Sequence, residues 1–237
     1  MTAERLPAGE PLPVSRRWRG RLASVESAAI AGIICAAGWS IGLSVLLKSP
    51  VAGASDAEIR RFYGGPDVGR DAVLALQVII FATIAFIWFV GVVRSRLGEQ
   101  EPKLVGTVFL GGAIILAGLT LVGAAVLAAP SVLVEAGGTP DPGAASISRA
   151  LAVTVLSVFT PRVATLVMFS TAALARRARA LPRWLIVLTY VVGLAEFVNV
   201  TISTPTVYVF PAWIALVSVV LLVRPRPQPG TANPVGG

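Results

Sequence analysis

The sequence predicts an all-α, polytopic membrane protein with six transmembrane helices in a bundle. The first observation is composition: of 237 residues, 55% are hydrophobic and only 14% are charged. A soluble domain carries roughly 25% charged residues because it must cover its surface with them. The second observation is distribution, since the charged residues concentrate in short segments between apolar runs. A bilayer imposes this pattern on the chains that cross it.

Six apolar runs reach or approach the roughly 20 residues that a helix needs to cross the hydrocarbon core. They cover about residues 28–47, 72–93, 104–129, 150–174, 184–203 and 206–223. Only a very short connection around Thr204 and Pro205 separates the last two runs, so we expect them to form a tight antiparallel hairpin. Residues 1–27 and 224–237 are expected to be disordered tails.

The third observation is the placement of basic residues, which predicts that both termini are cytoplasmic. Fourteen of the twenty Lys and Arg residues lie in the two tails and in the two connections on the same side. Five lie on the opposite side, and Arg162 lies inside a run. Because positively charged segments stay in the cytoplasm, we expect a multi-pass plasma-membrane protein. Its net charge of +8 then needs no nucleic-acid partner.

The lipid bilayer is therefore the expected partner, and the N-terminal tail offers a further lipid contact. Trp18 lies among Arg16, Arg17, Arg19 and Arg21, and this mixture can rest on anionic headgroups. The alternative is a solvated flank that only sets the topology. No pattern identifies a protein partner.

The two outer connections differ in pattern. Residues 55–58 fit a capping box with Ser55 as N-cap and Glu58 at the third helical position. A short helix is expected to run through Tyr63 and to end at Gly64. The other connection, residues 130–149, is rich in Gly and Pro and is expected to be irregular.

Two ionisable residues lie near the middle of apolar runs, Arg162 in the fourth and Glu196 in the fifth. Each is 12 residues from the cytoplasmic end of its run, which is about 18 Å of helix. An unpaired charge at this depth costs at least ~2.5 kcal/mol on insertion scales. Equal depth on neighbouring antiparallel helices therefore predicts an Arg162–Glu196 ion pair at the centre of the bundle.

Further polar residues are expected at the same site. Pro161 precedes Arg162 and frees the carbonyl of Ser157 near the same level. Thr189 and Asn199 belong to the polar side of the fifth run, and the second run contributes a glutamine. The predicted intramembrane polar site comprises Arg162, Glu196, Asn199, Thr189, Ser157 and Gln77.

Small residues permit close helix approach in two runs. Gly38 and Gly42 form a GxxxG pattern in the first run, and Gly111, Gly118 and Ala125 recur every seven residues in the third.

The chain carries no enzyme or metal-binding pattern. It has no histidine, and Cys35 is the only cysteine, which excludes His chemistry, His or Cys metal clusters and an intrachain disulfide. The sequence lacks HExxH, GxSxG, P-loop and dinucleotide-binding glycine motifs. Glu196 is the only acid inside a run. We therefore expect a protein that is not an enzyme and takes no cofactor or metal.

Parts of the chain resemble a group of uncharacterised actinobacterial integral membrane proteins. The resemblance is carried by FIWFVGVVR at 86–94, TVFLGG at 107–112, LPRWL at 181–185 and the arginine-containing fourth run. It covers most of the membrane region and neither tail. It implies a six-helix protein of an actinobacterial plasma membrane, and the group brings no established activity.

Two functions fit these observations. The polar site can serve the passage or sensing of a small molecule, an ion or a proton. Alternatively, the protein is a structural or accessory membrane subunit whose buried Arg–Glu pair only specifies helix packing.

Overall fold

The computed structural model describes residues 25–97, 103–177, 180–199 and 204–223, which are helical apart from their connections. The predicted tails fall almost entirely outside these residues, so their disorder and the lipid contact of the N-terminal tail stay predictions. The helices are α1 (Val25–Leu46), α2 (Asp56–Tyr63), α3 (Val68–Leu97), α4 (Lys103–Glu135), α5 (Pro142–Thr154), α6 (Thr160–Arg177), α7 (Arg183–Val198) and α8 (Val209–Val223). A π-helical segment, Val155–Phe159, joins α5 to α6, and a 3-10 turn, Thr204–Tyr208, leads into α8.

Among the described residues, five stretches of helix are long and apolar enough, by length and composition, to cross a membrane, as expected for a multi-pass α-helical membrane protein. They are Ser27–Leu46, Val68–Arg94, Leu104–Glu135, Pro142–Arg177 and Thr204–Val223. The remaining predicted run, 184–203, corresponds to α7. Its 16 residues measure about 24 Å, less than the roughly 30 Å of the hydrocarbon core.

Neighbouring helices pack in an antiparallel manner. α1 packs on α3 and α8, α4 packs on α3 and α6, and α7 packs on α6. The register of α1 against α8 is visible at two levels, because Ser44 hydrogen-bonds Tyr208 (3.1 Å) near one end and Gly32 faces Ser218 further along. The predicted tight hairpin of the last two runs is wrong in this respect, since α8 packs along α1 rather than along α7.

The GxxxG pattern of α1 serves packing within the chain. A Cβ atom at Gly38 would lie 2.6 Å from the Cβ of Ala82, and one at Gly42 would lie 2.4 Å from Ile79. Only glycine allows α1 and α3 to approach so closely. By contrast, a Cβ at Gly111 or Gly118 would meet nothing within 4 Å, so this side of α4 faces away from the bundle.

An aromatic cluster fills the space between α1, α3 and α8. Trp39 lies 5.0 Å from Phe86, and Phe210 lies 5.5 Å from Trp213, measured between ring centroids. Each buried indole N–H finds an acceptor: Trp39 donates to Thr83 (3.0 Å), and Trp213 donates to a threonine of α7. This satisfies the polar end of both tryptophans inside an apolar core.

The outer connection before α3 folds as predicted. The hydroxyl of Ser55 accepts a hydrogen bond from the backbone N–H of Glu58 (3.3 Å), and α2 ends at Gly64. Ile59 and Tyr63 are buried against Ala145 of α5. α2 is therefore anchored to the start of α5.

The irregular structure expected for residues 130–149 is wrong. α4 continues through Pro130 to Glu135, and α5 begins at Pro142 after the N-cap Asp141. Proline removes the N–H that would bond to the carbonyl four residues earlier. That carbonyl, of Val126, instead accepts a hydrogen bond from the hydroxyl of Ser148, so the helix tolerates its proline.

Candidate functional site

Arg162 lies at the start of α6, just after the chain has passed through the π-helical segment. In this segment the backbone N–H of Thr160 donates to the carbonyl of Val155, five residues earlier, instead of to the carbonyl four residues earlier as in an α-helix. The hydroxyl of Thr160 donates to the same carbonyl oxygen (2.8 Å). Pro161 then contributes no N–H. The guanidinium of Arg162 donates to the carbonyl of Val158 through Nη1. The carbonyl of Val158, four residues earlier on the chain, thus serves as an acceptor for a half-buried cation.

The second contact of Arg162 joins α6 to the end of α7. Nη2 donates to the carbonyl of Asn199 at 3.0 Å. Asn199 has an extended backbone and closes α7 through a hydrogen bond from its N–H to the carbonyl of Ala195. The last carbonyls of a helix lack N–H partners, and a cation is stabilised at this end of the helix dipole. Arg162 therefore caps α7.

Glu196 lies one turn before Asn199. It is partly buried, and the charge of Arg162 is close enough to act on its carboxylate. Among the contacts of the described residues, however, the guanidinium donates to backbone carbonyls and forms no direct ion pair with Glu196. Arg162 therefore contacts α7 within one turn of Glu196, but it does so through a backbone carbonyl rather than through the predicted direct pair.

Thr165 adds a contact between the same two helices that sequence reasoning missed. Its buried hydroxyl lies 3.0 Å from the carbonyl of Pro161 and 2.9 Å from that of Gly193, and it can donate to one of them at a time. A Cβ atom at Gly193 would lie 2.6 Å from the ring of Phe169. Since Thr165 follows Arg162 by three residues, its position on the same helix face was the available signal.

The other predicted site residues separate into two groups. Ser157 lies in the π-helical segment, is 4% exposed, and its hydroxyl has no hydrogen-bond partner. Thr189 is buried about two turns from Glu196 along α7, where it accepts from Trp213 (2.9 Å) and donates to Leu185 (2.8 Å). It belongs to the aromatic cluster rather than to the surroundings of Arg162.

Gln77 does not join the site. It is exposed on α3, and α3 packs on α1 and α4 rather than on α6 or α7. The sequence interpretation that placed it there is wrong, because a polar residue in an apolar run does not reveal which neighbour its helix packs against.

Arg149 is a buried cation that the sequence analysis counted only as an outer basic residue. Its side chain on α5 is 6% exposed. Nη1 donates to the hydroxyl of Ser49 at 2.9 Å and to the carbonyl of Leu47 at 3.4 Å, just beyond the end of α1. Burial raises the pKa of Tyr63 on α2, and the positive charge of Arg149 opposes that rise.

Fold and site together define a multi-pass α-helical membrane protein in which two arginines bind the carbonyl ends of neighbouring helices. Among the described residues, no group of His, Cys, Asp and Glu is arranged to hold a metal ion. No known family model, curated protein or solved structure matches this chain. The resemblance to actinobacterial membrane proteins therefore stays a prediction.

Proposed function

We propose that the protein passes or senses protons across the plasma membrane at the site formed by Arg162, Glu196 and the end of α7. The observation that carries the proposal is the carbonyl of Asn199 bound by Arg162 beside the carboxylate of Glu196. Helices that stop inside a membrane bundle place backbone ends where ions or substrates are handled. Ionisable groups at this depth mark such sites as well.

The lengths of the helices support a position well inside the membrane. Arg162 lies 15 residues from the end of α6 at Arg177, about 22 Å along the helix. In the other direction, Arg149 lies 13 residues away, about 20 Å. The site thus falls between the two ends of the bundle.

The antiparallel packing supports six crossings with both termini in the cytoplasm. Because neighbouring helices alternate in direction, α6 ends on the side of the bundle where α1 begins. Thr204–Tyr208 lies near the opposite side, beside Ser44. α7 lies between these two points in the chain and, although short, supplies most of the path from one end of the bundle to the other.

The contacts of Arg162 favour a proton over other solutes. Its guanidinium is held by two carbonyls, so Glu196 can gain or lose a proton without breaking these hydrogen bonds. The positive charge disfavours a metal cation nearby. The unpartnered hydroxyl of Ser157 can bind a water molecule in the same part of the helix.

Proton flux through reconstituted vesicles tests the proposal. The purified full chain is placed in liposomes containing a pH-sensitive dye, and a potassium gradient with valinomycin drives proton movement. E196Q should reduce the flux about tenfold or more, since the side chain no longer exchanges a proton. E135Q, which removes an exposed carboxylate at the end of α4, should retain it.

Sensing without flux has a separate readout. The tryptophan fluorescence of the wild-type protein should then change with pH, and E196Q should remove that change. If E196Q matches wild type in both measurements, the proposed role of Glu196 is wrong.

The alternative function, a structural or accessory subunit, is favoured by one specific observation. Both hydrogen bonds of the Arg162 guanidinium are to backbone carbonyls, which is sufficient for a role in fixing α7 on α6. R162L would then lower the melting temperature, because the carbonyls of Val158 and Asn199 lose their donor, whereas E196L would leave it nearly unchanged. Wild-type flux absent under all conditions, together with this difference between the two variants, would establish the packing role.

A further inference from the structure

A cavity of about 740 Å³ lies at the end of the bundle where α6 finishes and α7 begins. Its volume falls within the roughly 300–1,000 Å³ typical of small-molecule sites. Among the described residues that line it, the charged ones are two arginines, one from each helix, and the remaining wall is mainly apolar. The residues used below are Arg176, Arg183, Leu181, Ile186, Val187 and Tyr190.

The two arginines give the cavity a positive charge, and no acidic residue is among the described residues that line it. Both are exposed, and no Asp or Glu occurs anywhere between residues 142 and 195. Within the ranges that the structure describes, neither Arg176 nor Arg183 forms an ion pair. Two guanidinium groups free to donate are suited to a phosphate, which accepts paired N–H donors.

The apolar wall continues onto the outer surface of α7. Leu181 and Ile186 are buried at the base of the cavity, whereas Val187 is 61% exposed. Trp184, next to Arg183, is 55% exposed, and tryptophan favours the level of the lipid headgroups. A ligand for this cavity therefore combines an anionic group with an apolar chain.

We propose that the cavity binds an anionic phospholipid, with Arg176 and Arg183 on the headgroup phosphate and an acyl chain along Val187. Basic pockets between transmembrane helices on the cytoplasmic side bind such headgroups, and the basic residues predict that this end is cytoplasmic. The site is separate from Arg162, and the proposal does not depend on proton passage. A soluble phosphate offers the same anion without the chain.

Native mass spectrometry of the full chain in detergent tests this binding. The protein is titrated with phosphatidylglycerol, with phosphatidylcholine and with glycerol phosphate. The wild type should retain phosphatidylglycerol in preference to phosphatidylcholine. R176Q/R183Q should weaken that retention about tenfold or more, given the usual contribution of each basic residue to lipid binding.

A matched variant separates the cavity from net charge. R94Q/R177Q removes the same charge from two exposed arginines, Arg94 and Arg177, that do not line the cavity. It should bind phosphatidylglycerol like wild type. An equal loss in both double variants would show general electrostatic attraction and overturn the proposal.

A third variant tests the apolar part of the site and guards against misfolding. V187W fills the mouth of the cavity while keeping both arginines, and Val187 is exposed enough for the change to spare the core. It should lower lipid retention to a similar extent. Unchanged retention in V187W would overturn the proposal, as would glycerol phosphate that binds as tightly as the lipid.

Discussion

Arg149 and Arg162 make the same kind of contact at two levels of the bundle. Arg149 reaches the carbonyl of Leu47 just beyond α1, and Arg162 reaches that of Asn199 just beyond α7. Carbonyls at a helix C-terminus have no N–H partner within the helix. Inside an apolar environment, an arginine both satisfies such a carbonyl and finds a place for its own donors. These contacts explain how the chain accommodates cations among apolar residues.

Replacing Arg149 by methionine should lower the stability of the protein by about 1–3 kcal/mol, the usual cost of leaving buried polar partners unsatisfied. The variant keeps an apolar side chain but removes the donor to Ser49 and Leu47. Thermal unfolding in detergent measures the change. R70M, at an exposed arginine near the start of α3, is the matched control and should melt like wild type. Equal melting of R149M and R70M would contradict the capping role.

R149M should also shift the titration of Tyr63. Burial raises the pKa of this phenol, and Arg149 partly counters the effect, so loss of the cation should raise the pKa further. Because the folded-state pKa lies above the unfolded value of about 10, the stabilising effect of the neutral phenol is present below that pH. It is lost as the pH rises through the folded-state value. Absorbance near 295 nm, compared between Y63F and the parent protein, isolates Tyr63.

At the scale of the helices, local signals were reliable where the partner is also local. The capping box at residues 55–58 predicts α2 because the hydroxyl of Ser55 accepts a hydrogen bond from the backbone N–H of Glu58 within one turn. Pro130 indicated the end of a helix, but α4 continues through it, because the compensating donor, Ser148, comes from the next helix. The π-helical segment before Pro161 was also unforeseen, since proline indicates a break without indicating its form.

The interaction around Pro130 can be measured by a double-mutant cycle. S148A should cost about 1–3 kcal/mol, because it leaves the carbonyl of Val126 without a donor. In the P130A background the cost should be smaller, since the restored N–H can bond to that carbonyl. Thermal unfolding of the four proteins gives the coupling. If S148A costs the same in both backgrounds, Ser148 does not compensate for the proline.

For the whole molecule, composition and apolar runs were sufficient to predict a multi-pass helical protein, because a bilayer constrains every residue of a span. Depth along the apolar runs also predicted that Arg162 and Glu196 lie close together, and Arg162 contacts α7 within one turn of Glu196. The sequence could not show that α7 ends at Asn199 and offers its carbonyl to Arg162. It also could not place Arg149, since burial there depends on how α1, α2 and α5 meet.

The direction of the last helix makes the topology testable. α8 runs antiparallel to α1, so the end of α8 should lie on the same side of the membrane as the start of α1. Cys35 is fully buried, and the wild-type chain therefore serves as an unlabelled background for single cysteines at exposed positions. D56C should react with a membrane-impermeant maleimide added outside intact cells. R177C and V223C should react only after permeabilisation.

If R177C and V223C are labelled from the same side, the chain crosses the membrane an even number of times between these two residues, as α7 and α8 together require. If D56C does not react from outside while R177C and V223C do, the predicted orientation is reversed. The number of crossings between Arg177 and Val223 would still be even. Labelling of V223C on the side opposite to R177C would be the damaging result. It would show that α7 does not cross the membrane, so Asn199 would not lie inside the membrane.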